Sequence, residues 1–488
     1  MGSSNTPLSQ EAASSKGAGI SQSTSSGPLK YLGFAILLAW HYCIWFVPNV
    51  FPHVALLDDS VTYSWLVNLA ATVFSLFVIA RIIGRNRYLS EQRWLFFVAP
   101  LVLIAGSLYL LFGMTTQSSW VGVFAAAIVL GMAEALLWIL WGERFARVKS
   151  HFSIKHIGMV FGLTLLVTTL IAMLLPPVIA SVFVSLLPLA SGGLLLSYRN
   201  EKQNTYPVLL SKNTAKGGVR SLIIVCSISF VASMACYFLA AIIPWEELPF
   251  LEDSFTFGVI GGALLLLLIT GVCIASKNRI NVFKLYPWLL VVEVIAFALF
   301  LTTQDYYFIA FIFALAISSI FEILLIMYFG ILTLRGFIPP VWAFSFSCGV
   351  IRLGVLFGNS LAIFYESYPA LAVFLTPDTC LVFIAALLIL LIFLVKQEYS
   401  IAMLTSDPLR TDELKDICAK VAKEFKLSKR EQEIMTMMAL GHTADSIAKR
   451  LVISPYTVNT HIRHIYEKTQ IRKRSELLHY INMQASHY

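Results

Sequence analysis

Between Lys30 and Lys396 the chain is apolar almost throughout, broken only by short polar segments, and this decides which solvent most of it can fold in. A helix needs about 20 residues to cross roughly 30 Å of hydrocarbon. Twelve stretches meet or approach that length: 31 to 50, 62 to 83, 94 to 112, 120 to 141, 156 to 175, 176 to 196, 219 to 243, 254 to 275, 285 to 302, 306 to 329, 341 to 363 and 370 to 395. Backbone polar groups inside lipid must pair within the protein, so stretches of this length are expected to be helices rather than strands. A content of 58% hydrophobic and 13% charged residues, with a mean hydropathy of +0.79, lies outside the range of soluble domains. The seven cysteines are scattered, six of them within spans and none in a CxxC pair, which argues against a disulfide framework or a zinc site.

Basic residues set the expected orientation. The loops after the even-numbered spans hold Arg81, Arg85, Arg87 and Arg93, then Arg144, Arg147, Lys149 and Lys155. They continue with Arg199, Lys202, Lys212, Lys216 and Arg220, then Lys277, Arg279 and Lys284, and finally Arg335. The alternate loops hold no Lys or Arg and instead carry Asp58, Asp59, Glu246, Glu247, Glu252, Asp253, Asp305 and Glu366. The positive-inside rule puts the first set in the cytoplasm, and an even number of spans then places both termini there. Residues 1–29, rich in Ser, Thr, Gly and Ala, read as a disordered cytoplasmic tail, and no cleavage-site pattern follows the first apolar stretch.

A polar loop at 197–218 divides the membrane region, 30–396, into halves at 30–196 and 219–396. Glu134-Ala-Leu-Leu with Gly142 recurs as Glu322-Ile-Leu-Leu with Gly330, and Arg85-Asn86-Arg87 as Lys277-Asn278-Arg279, which favours duplication. Twelve spans in two halves resemble the major facilitator superfamily, whose halves enclose a midplane site. The family's loop pattern Gly-x-x-x-Asp-Arg-x-Gly-Arg is not met at Gly84-Arg85-Asn86-Arg87, where the acidic residue is missing; this puts active transport in doubt without disproving the fold.

Charges inside spans usually face the bundle interior. Glu134, Glu293, Glu322, Arg352 and Asp378 are such residues, with His41 as a further polar group. The facilitator-like arrangement implies that the fourth, tenth and eleventh spans border the central cavity, which singles out Glu134, Glu322 and Arg352 as candidate ligand-binding residues. The competing reading makes them interhelical ion pairs that hold the halves together. Asp378, after Thr376-Pro377, marks a kink on the plainer reading. Trp40, Trp45, Trp138 and Trp141 fit interfacial belts, packing, or an aromatic wall for a flat apolar ligand.

The chain changes character after the twelfth span. A polar connector from Lys396 leads to Thr411–Phe425, where Leu414, Ile417, Cys418, Val421 and Phe425 fall at helical spacing, so 397–425 reads as a linker and amphipathic helix. That helix suits a coupling element, a dimer contact or a cap on the domain that follows. From Lys426 onward ten Lys and Arg stand against five Asp and Glu. Ser428 and Glu431 form a capping box for a helix that buries Leu427, Ile434, Met437 and Met438, and Gly441 ends it. A short helix from Thr443 to about Leu451 buries Ile447, Ala448 and Leu451, and Val452-Ile453 turns the chain. A third helix opens on Ser454 with Pro455 at its first position and runs to about Thr469. Its Val458, Ile462 and Ile465 face inward and its Tyr456, Asn459, Thr460, Arg463 and His464 outward.

That order is the helix-turn-helix plan, whose third element enters the major groove. Leu427-Ser428-x-Arg430-Glu431-x-Glu433-Ile434, Gly441-His442-Thr443, Ile447-Ala448, Leu451-x-Ile453-Ser454, Thr457-Val458-x-Thr460-His461-Ile462 and Lys468 resemble the DNA-binding domain of the LuxR family over 426–488. The resemblance implies groove-facing roles for Asn459, Thr460 and Arg463 and a phosphate contact for Thr457, with Ser454, Tyr456 and His464 completing the DNA-facing set. Asn459 departs from the family's usual Lys, trading a phosphate or guanine contact for an amide that can pair with adenine. Gln470-Ile471 departs from the commoner Leu-Gly-Val. The last helix, about Lys473 to Met483, resembles the family's dimerisation helix, with Leu477, Leu478 and Ile481 as its apolar face. The net positive charge of this module suits a phosphate backbone.

The expectation is therefore an all-α protein: a bundle of twelve transmembrane helices in two six-helix halves, plus a C-terminal LuxR-type helix-turn-helix domain. It would work as a membrane-bound one-component regulator in which the spans sense a small molecule or membrane signal and a homodimeric tail binds promoter DNA. The alternatives are a transporter with a cytoplasmic regulatory domain, and a regulator merely tethered by its spans. The sequence holds no catalytic Ser-His-Asp order, no metal-ligand spacing and no cofactor loop.

Overall fold

A computed structural model describes residues 31–50, 60–83, 88–113, 120–147, 154–197, 212–244, 254–275, 286–302, 304–334, 337–405, 411–439, 444–471 and 473–486. Among them there is no β-strand. Each apolar stretch forms a helix. The first half holds α1 (Leu32–Phe46), α2 (Ser60–Ile83), α3 (Leu95–Leu108, continued by a π-turn at Tyr109–Gly113), α4 (Trp120–Arg147), α5 (Ile154–Leu174) and α6 (Pro177–Ser197). The second holds α7 (Lys212–Ile242), α8 (Ser254–Ala275), α9 (Tyr286–Phe300), α10 (Tyr307–Leu334), α11 (Pro340–Ser367) and α12 (Pro369–Thr405). Ten of these are long and apolar enough to cross a membrane, and α1 and α9 are shorter apolar helices, so the protein is a multi-pass membrane protein.

Local chemistry sets several of the boundaries. α1 stops at Val47, which is extended (φ −107°, ψ 106°) because it precedes Pro48. Pro176 and Pro177 separate α5 from α6, and the amide of Asn49 donates to the carbonyls of Ala172, Met173 and Leu175, which the end of α5 leaves without helical partners. Two boundaries differ from expectation. α7 begins at Lys212, inside the segment read as the central loop, and α12 does not end at the last apolar residue but continues to Thr405. Polar sequence ends the signal for a span without ending the helix.

The helix pairings repeat between the halves. α1 packs on α5 and α6 as α7 packs on α11 and α12. α2 packs on α4 as α8 does on α10, and α3 on α4 and α6 as α9 on α10 and α12. The seams between halves obey the same relation: α2 meets α11, and α5 meets α8. The repeated Glu and Gly residues occupy matching places in this scheme, on α4 and α10.

Both ends of the seam between halves are filled by aromatic side chains. Towards the end where α4 and α10 finish, Gly142 of α4 receives the ring of Phe344 from α11, and Gly330 of α10 receives the ring of Phe145 from α4. The two rings lie 6.0 Å apart. Only glycine, with no Cβ, allows that approach. At the opposite end Phe46 stands 5.2 Å from Trp65 and 5.6 Å from Phe255, and Trp65 stands 5.6 Å from Tyr237. Thr256 of α8 donates to the Phe46 carbonyl of α1 at 2.8 Å.

The four tryptophans for which belts, packing and an aromatic wall were open are core residues. Trp40, Trp45, Trp138 and Trp141 are all buried, with Trp40 donating to Ser107, Trp141 to Ser191 and Trp138 to Glu134. Packing, rather than a belt, explains them.

Past α12 the chain forms α13 (Thr411–Glu424), α14 (Lys429–Ala439), α15 (Ala444–Leu451), α16 (Pro455–Thr469) and α17 (Arg474–Ser486). These five share one apolar core. α13 contributes Ile417, Cys418, Val421 and Ala422 to it, so of the three roles open to this helix the structure realises the cap. The expectations for the 1–29 tail, for the triplets at 85–87 and 277–279 and for Gly441-His442-Thr443 lie outside the described residues.

Candidate nucleic-acid interface and a buried charge cluster

In the C-terminal unit the start of α14 is held by the expected capping box. The Ser428 backbone N–H donates to Glu431 Oε2 at 2.7 Å, and the Glu431 N–H donates to Ser428 Oγ at 3.2 Å. Glu431 is buried, and it also receives Lys468 Nζ of α16 at 2.7 Å, with His464 Nδ1 4.0 Å away. Burial alone would raise its pKa. The Lys468 ammonium and the Ser428 N–H outweigh that and hold the carboxyl below its ordinary value. This carboxylate therefore fixes α16 against α14. Arg430 adds a tie to the Leu451 carbonyl at 3.2 Å, where α15 ends, and Arg474 of α17 donates to the Met438 carbonyl at 3.0 Å.

The turn between α15 and α16 passes through Val452 in the left-handed region (φ 53°), a conformation that a β-branched residue adopts at a cost. Its side chain is 89% exposed. Ser454 then caps α16, accepting from the Thr457 N–H at 3.0 Å, with Pro455 at the first helical position. Val458 and Ile465 are buried and Ile462 is partly buried, as their spacing predicts. Met435, fully buried in α14, was not legible as core; its neighbours Met437 and Met438 carried the periodic signal.

The outer face of α16 and its lead-in collects the sequence-predicted residues. Ser454, Tyr456, Thr457, Asn459 and Arg463 are exposed, and Thr460 and His464 are half-buried. Tyr456 is 82% exposed, an unusual position for so large a ring in a folded domain. Arg463 extends from the surface with Nε 3.7 Å from Glu467, an exposed and weak pairing that a stronger acceptor displaces at small cost. The Thr460 hydroxyl donates to the Tyr456 carbonyl at 3.1 Å. His464 leans toward Glu431, which places it at the margin of this face. Asn459 is exposed on the same face.

The apolar face expected for dimerisation is occupied within the protomer. Leu477 and Ile481 belong to the domain core and Leu478 is buried. Tyr480 on the same helix donates to Glu424 of α13 at 2.8 Å and packs edge-on against Phe425. α13, which the resemblance did not include, covers this helix. Burial also pushes the Cys418 thiol up to about 11, which leaves it a packing residue.

A second constellation lies in the membrane bundle. Glu134, Glu322 and Arg352 sit near the middle of three 28-residue helices, α4, α10 and α11. Arg352 donates from one terminal nitrogen to Glu134 Oε1 and from the other to Glu322 Oε1, both at 2.7 Å, and all three residues are buried. Trp138 Nε1 donates to Glu134 Oε1 at 3.1 Å and its ring lies 4.8 Å below the guanidinium. From α1, Tyr42 OH donates to Glu322 Oε2 at 2.9 Å, and His41 Nδ1 lies 3.1 Å from Glu134 Oε1.

All three residues singled out from sequence thus meet at one point, with both halves represented. Two carboxylates face one guanidinium, and the His41 ring lies against one of them. Among the described residues, Glu134 Oε2 and Arg352 Nε find no hydrogen-bond partner. The sequence did not reveal Tyr42, whose role depends on the register between halves. Nor did it reveal Glu143, which is buried and accepts from the N–H groups of Leu89 and Ser90 at 2.6 and 2.8 Å, tying α4 to the segment before α3. Glu293 is buried on α9, and Asp378 is exposed on α12.

Comparison with known proteins places the C-terminal unit. Residues 426–481 match the family of bacterial regulatory proteins, luxR family, so this unit is a LuxR-type helix-turn-helix domain of the DNA-binding, transcription-regulating kind. The segment is similar to the oxygen regulatory protein NreC of Staphylococcus carnosus, 41% identical over 54 residues (11% of this chain and 25% of NreC). It is also similar to the probable transcriptional regulatory protein NarL of Mycobacterium tuberculosis, 39% identical over 49 residues (10% of this chain and 23% of that protein). The chain therefore spans about a quarter of the length of the curated relatives it matches. The helical bundle is similar to the crystal structure of the human organic anion transporter MFSD10, at 13% identity, with 75% of this chain and 96% of that chain covered and a TM-score of 0.48. A bacterial homologue of the iron transporter ferroportin in an outward-facing state gives 13%, 75%, 99% and 0.47.

Proposed function

We propose that this protein is a membrane-bound one-component transcription regulator. The bundle lies in the inner membrane of a bacterium with both termini in the cytoplasm, senses a ligand or a membrane signal, and controls how the LuxR-type domain engages promoter DNA. One observation carries the reading: a helix-turn-helix domain with an exposed recognition face follows, in the same chain, a bundle whose halves meet at a buried charge cluster. The seventeen basic residues that the sequence gathers at alternate junctions between spans, some on helix ends and some between helices, support the orientation.

In this reading Asn459, Thr460 and Arg463 contact bases, and Ser454, Tyr456, Thr457 and His464 flank the phosphates. Two domains act on one operator as a homodimer. Because α13 covers the apolar face of α17, the contact between copies uses other surface than Leu477, Leu478 and Ile481. The Glu134–Arg352–Glu322 cluster is the sensing centre, since a ligand or proton that competes for either carboxylate changes what holds the halves together. Such an effector acts only through its different affinity for the two packings.

The test uses the full chain in lipid nanodiscs with a fragmented bacterial genome at physiological salt. Selective recovery of a few promoter fragments, lost when Arg463 and Asn459 are both replaced by alanine, supports the reading. Recovery no better than for random duplex rejects it.

A further inference from the structure

We propose that the seam between α2 and α11 binds an anionic phospholipid, its acyl chain lying in the seam and its phosphate on Arg81. The seam forms a groove of about 490 Å³ walled by Val73, Phe74 and Phe77 of α2 and Leu353 and Leu356 of α11, with Arg81 closing one end. Every lining residue but Arg81 is apolar.

The dimensions fit one leaflet. From Ala70 to Arg81 the axis of α2 rises roughly 16 Å at about 1.5 Å per residue. That is about half of a hydrocarbon layer of roughly 30 Å. Arg81 is exposed and stands two residues before the end of α2, at the end of the bundle that carries the basic loops. An exposed arginine there presents a fork of donors that matches a phosphate. The chain-length groove and the cation at its headgroup end describe one molecule, a phospholipid of the leaflet next to those loops.

The α2–α11 seam is packed differently from its symmetry mate. Its counterpart under the internal symmetry, the α5–α8 seam, is closed by small residues: a Cβ on Gly158 would lie 2.8 Å from Thr270, and one on Gly162 would lie 3.0 Å from Leu267 and 3.3 Å from the Ala263 carbonyl. At the α2–α11 seam the large side chains of Phe77 and Phe346 instead meet edge-on at 5.5 Å between centroids. Leu353 follows Arg352 directly in sequence and Leu356 lies one turn further along the same helix. An acyl chain in this groove therefore presses on the helix that links the two carboxylates. Its consequence for signalling rests on the regulator reading above, while the lipid site itself does not.

The experiment reconstitutes the full chain in nanodiscs of phosphatidylcholine doped with phosphatidylglycerol, releases it gently, and identifies retained lipid by native mass spectrometry. The wild type retains phosphatidylglycerol with about fivefold preference, the worth of one membrane-surface cation. Arg81→Gln removes the preference but still retains lipid, and Leu353→Trp, which fills the groove, retains none. Equal retention of the two lipids by the wild type, or a preference unchanged in both variants, overturns the proposal. Promoter binding is measured on the same discs. Equal retention of the two lipids by the wild type with normal promoter binding overturns the lipid site alone, whereas a wild-type preference for phosphatidylglycerol with no promoter binding in any disc supports the site and overturns the regulator reading.

Discussion

Arg352 illustrates what a single residue can hold together. Its guanidinium joins a carboxylate from each half in a buried site, and removing one partner of such a group leaves an uncompensated buried charge. Arg352→Ala should destabilise the bundle by on the order of 3–5 kcal/mol, measured as a lower unfolding temperature in detergent. Replacing Glu134, Glu322 and Arg352 together by Gln, Gln and Met should recover most of that loss. At the face proposed to meet DNA, Arg463→Ala should weaken operator binding by about 1–3 kcal/mol, the usual worth of a good base contact, in a salt-matched anisotropy assay. Glu431 gives a pH dependence whose sign follows from its lowered pKa. Its contribution is fully present above the ordinary value of 4.5 and is lost as pH falls through the lower folded value, so acid should loosen α16 from α14. Urea midpoints of the wild type and Glu431→Gln should converge below pH 4.5 and separate above it.

At the scale of elements, sequence and structure agree where the signal is a length or a period. Apolar length located all twelve bundle helices, and the i, i+4, i+7 stripe of Val458, Ile462 and Ile465 oriented α16. Other features were hidden for physical reasons. The amphipathic stripe of α13 shows that one face is covered but not by what, and the answer is α14 and α17. The extension of α12 was invisible because hydropathy reports on the solvent, not on the backbone. Glu143 sits among arginines and reads as a solvated loop residue, yet it caps two backbone N–H groups. Because Ile417, Cys418, Val421 and Ala422 belong to the C-terminal core, a fragment of 411–488 should unfold cooperatively. A fragment of 426–488, which follows the family boundary, should be less stable by about 2–5 kcal/mol, the range for losing a large core side chain. Urea denaturation of the two fragments, followed by circular dichroism, checks this.

Over the whole molecule the halves are matched in pairing but not in detail, and the two glycine–phenylalanine contacts show how closely one end is shut. Gly142 and Gly330 were legible as a repeat, but what they admit, a ring from the opposite half in each case, depends on how the halves dock. Gly330→Leu should displace Phe145 and open this end. Cys348, buried a turn from Arg352, should then react with a maleimide in a variant whose other cysteines are serine, and stay unreactive without the substitution.

The unbroken course of α12 has a consequence for the cell as well. Its 37 residues extend roughly 55 Å, and about 20 of them suffice for the bilayer, so the remaining turns form a short stiff stalk. On the regulator reading proposed above, a reader fastened in this way cannot patrol the nucleoid. Its target locus would have to drift to the cell periphery to be read, so gene position and chromosome motion would become part of the response time.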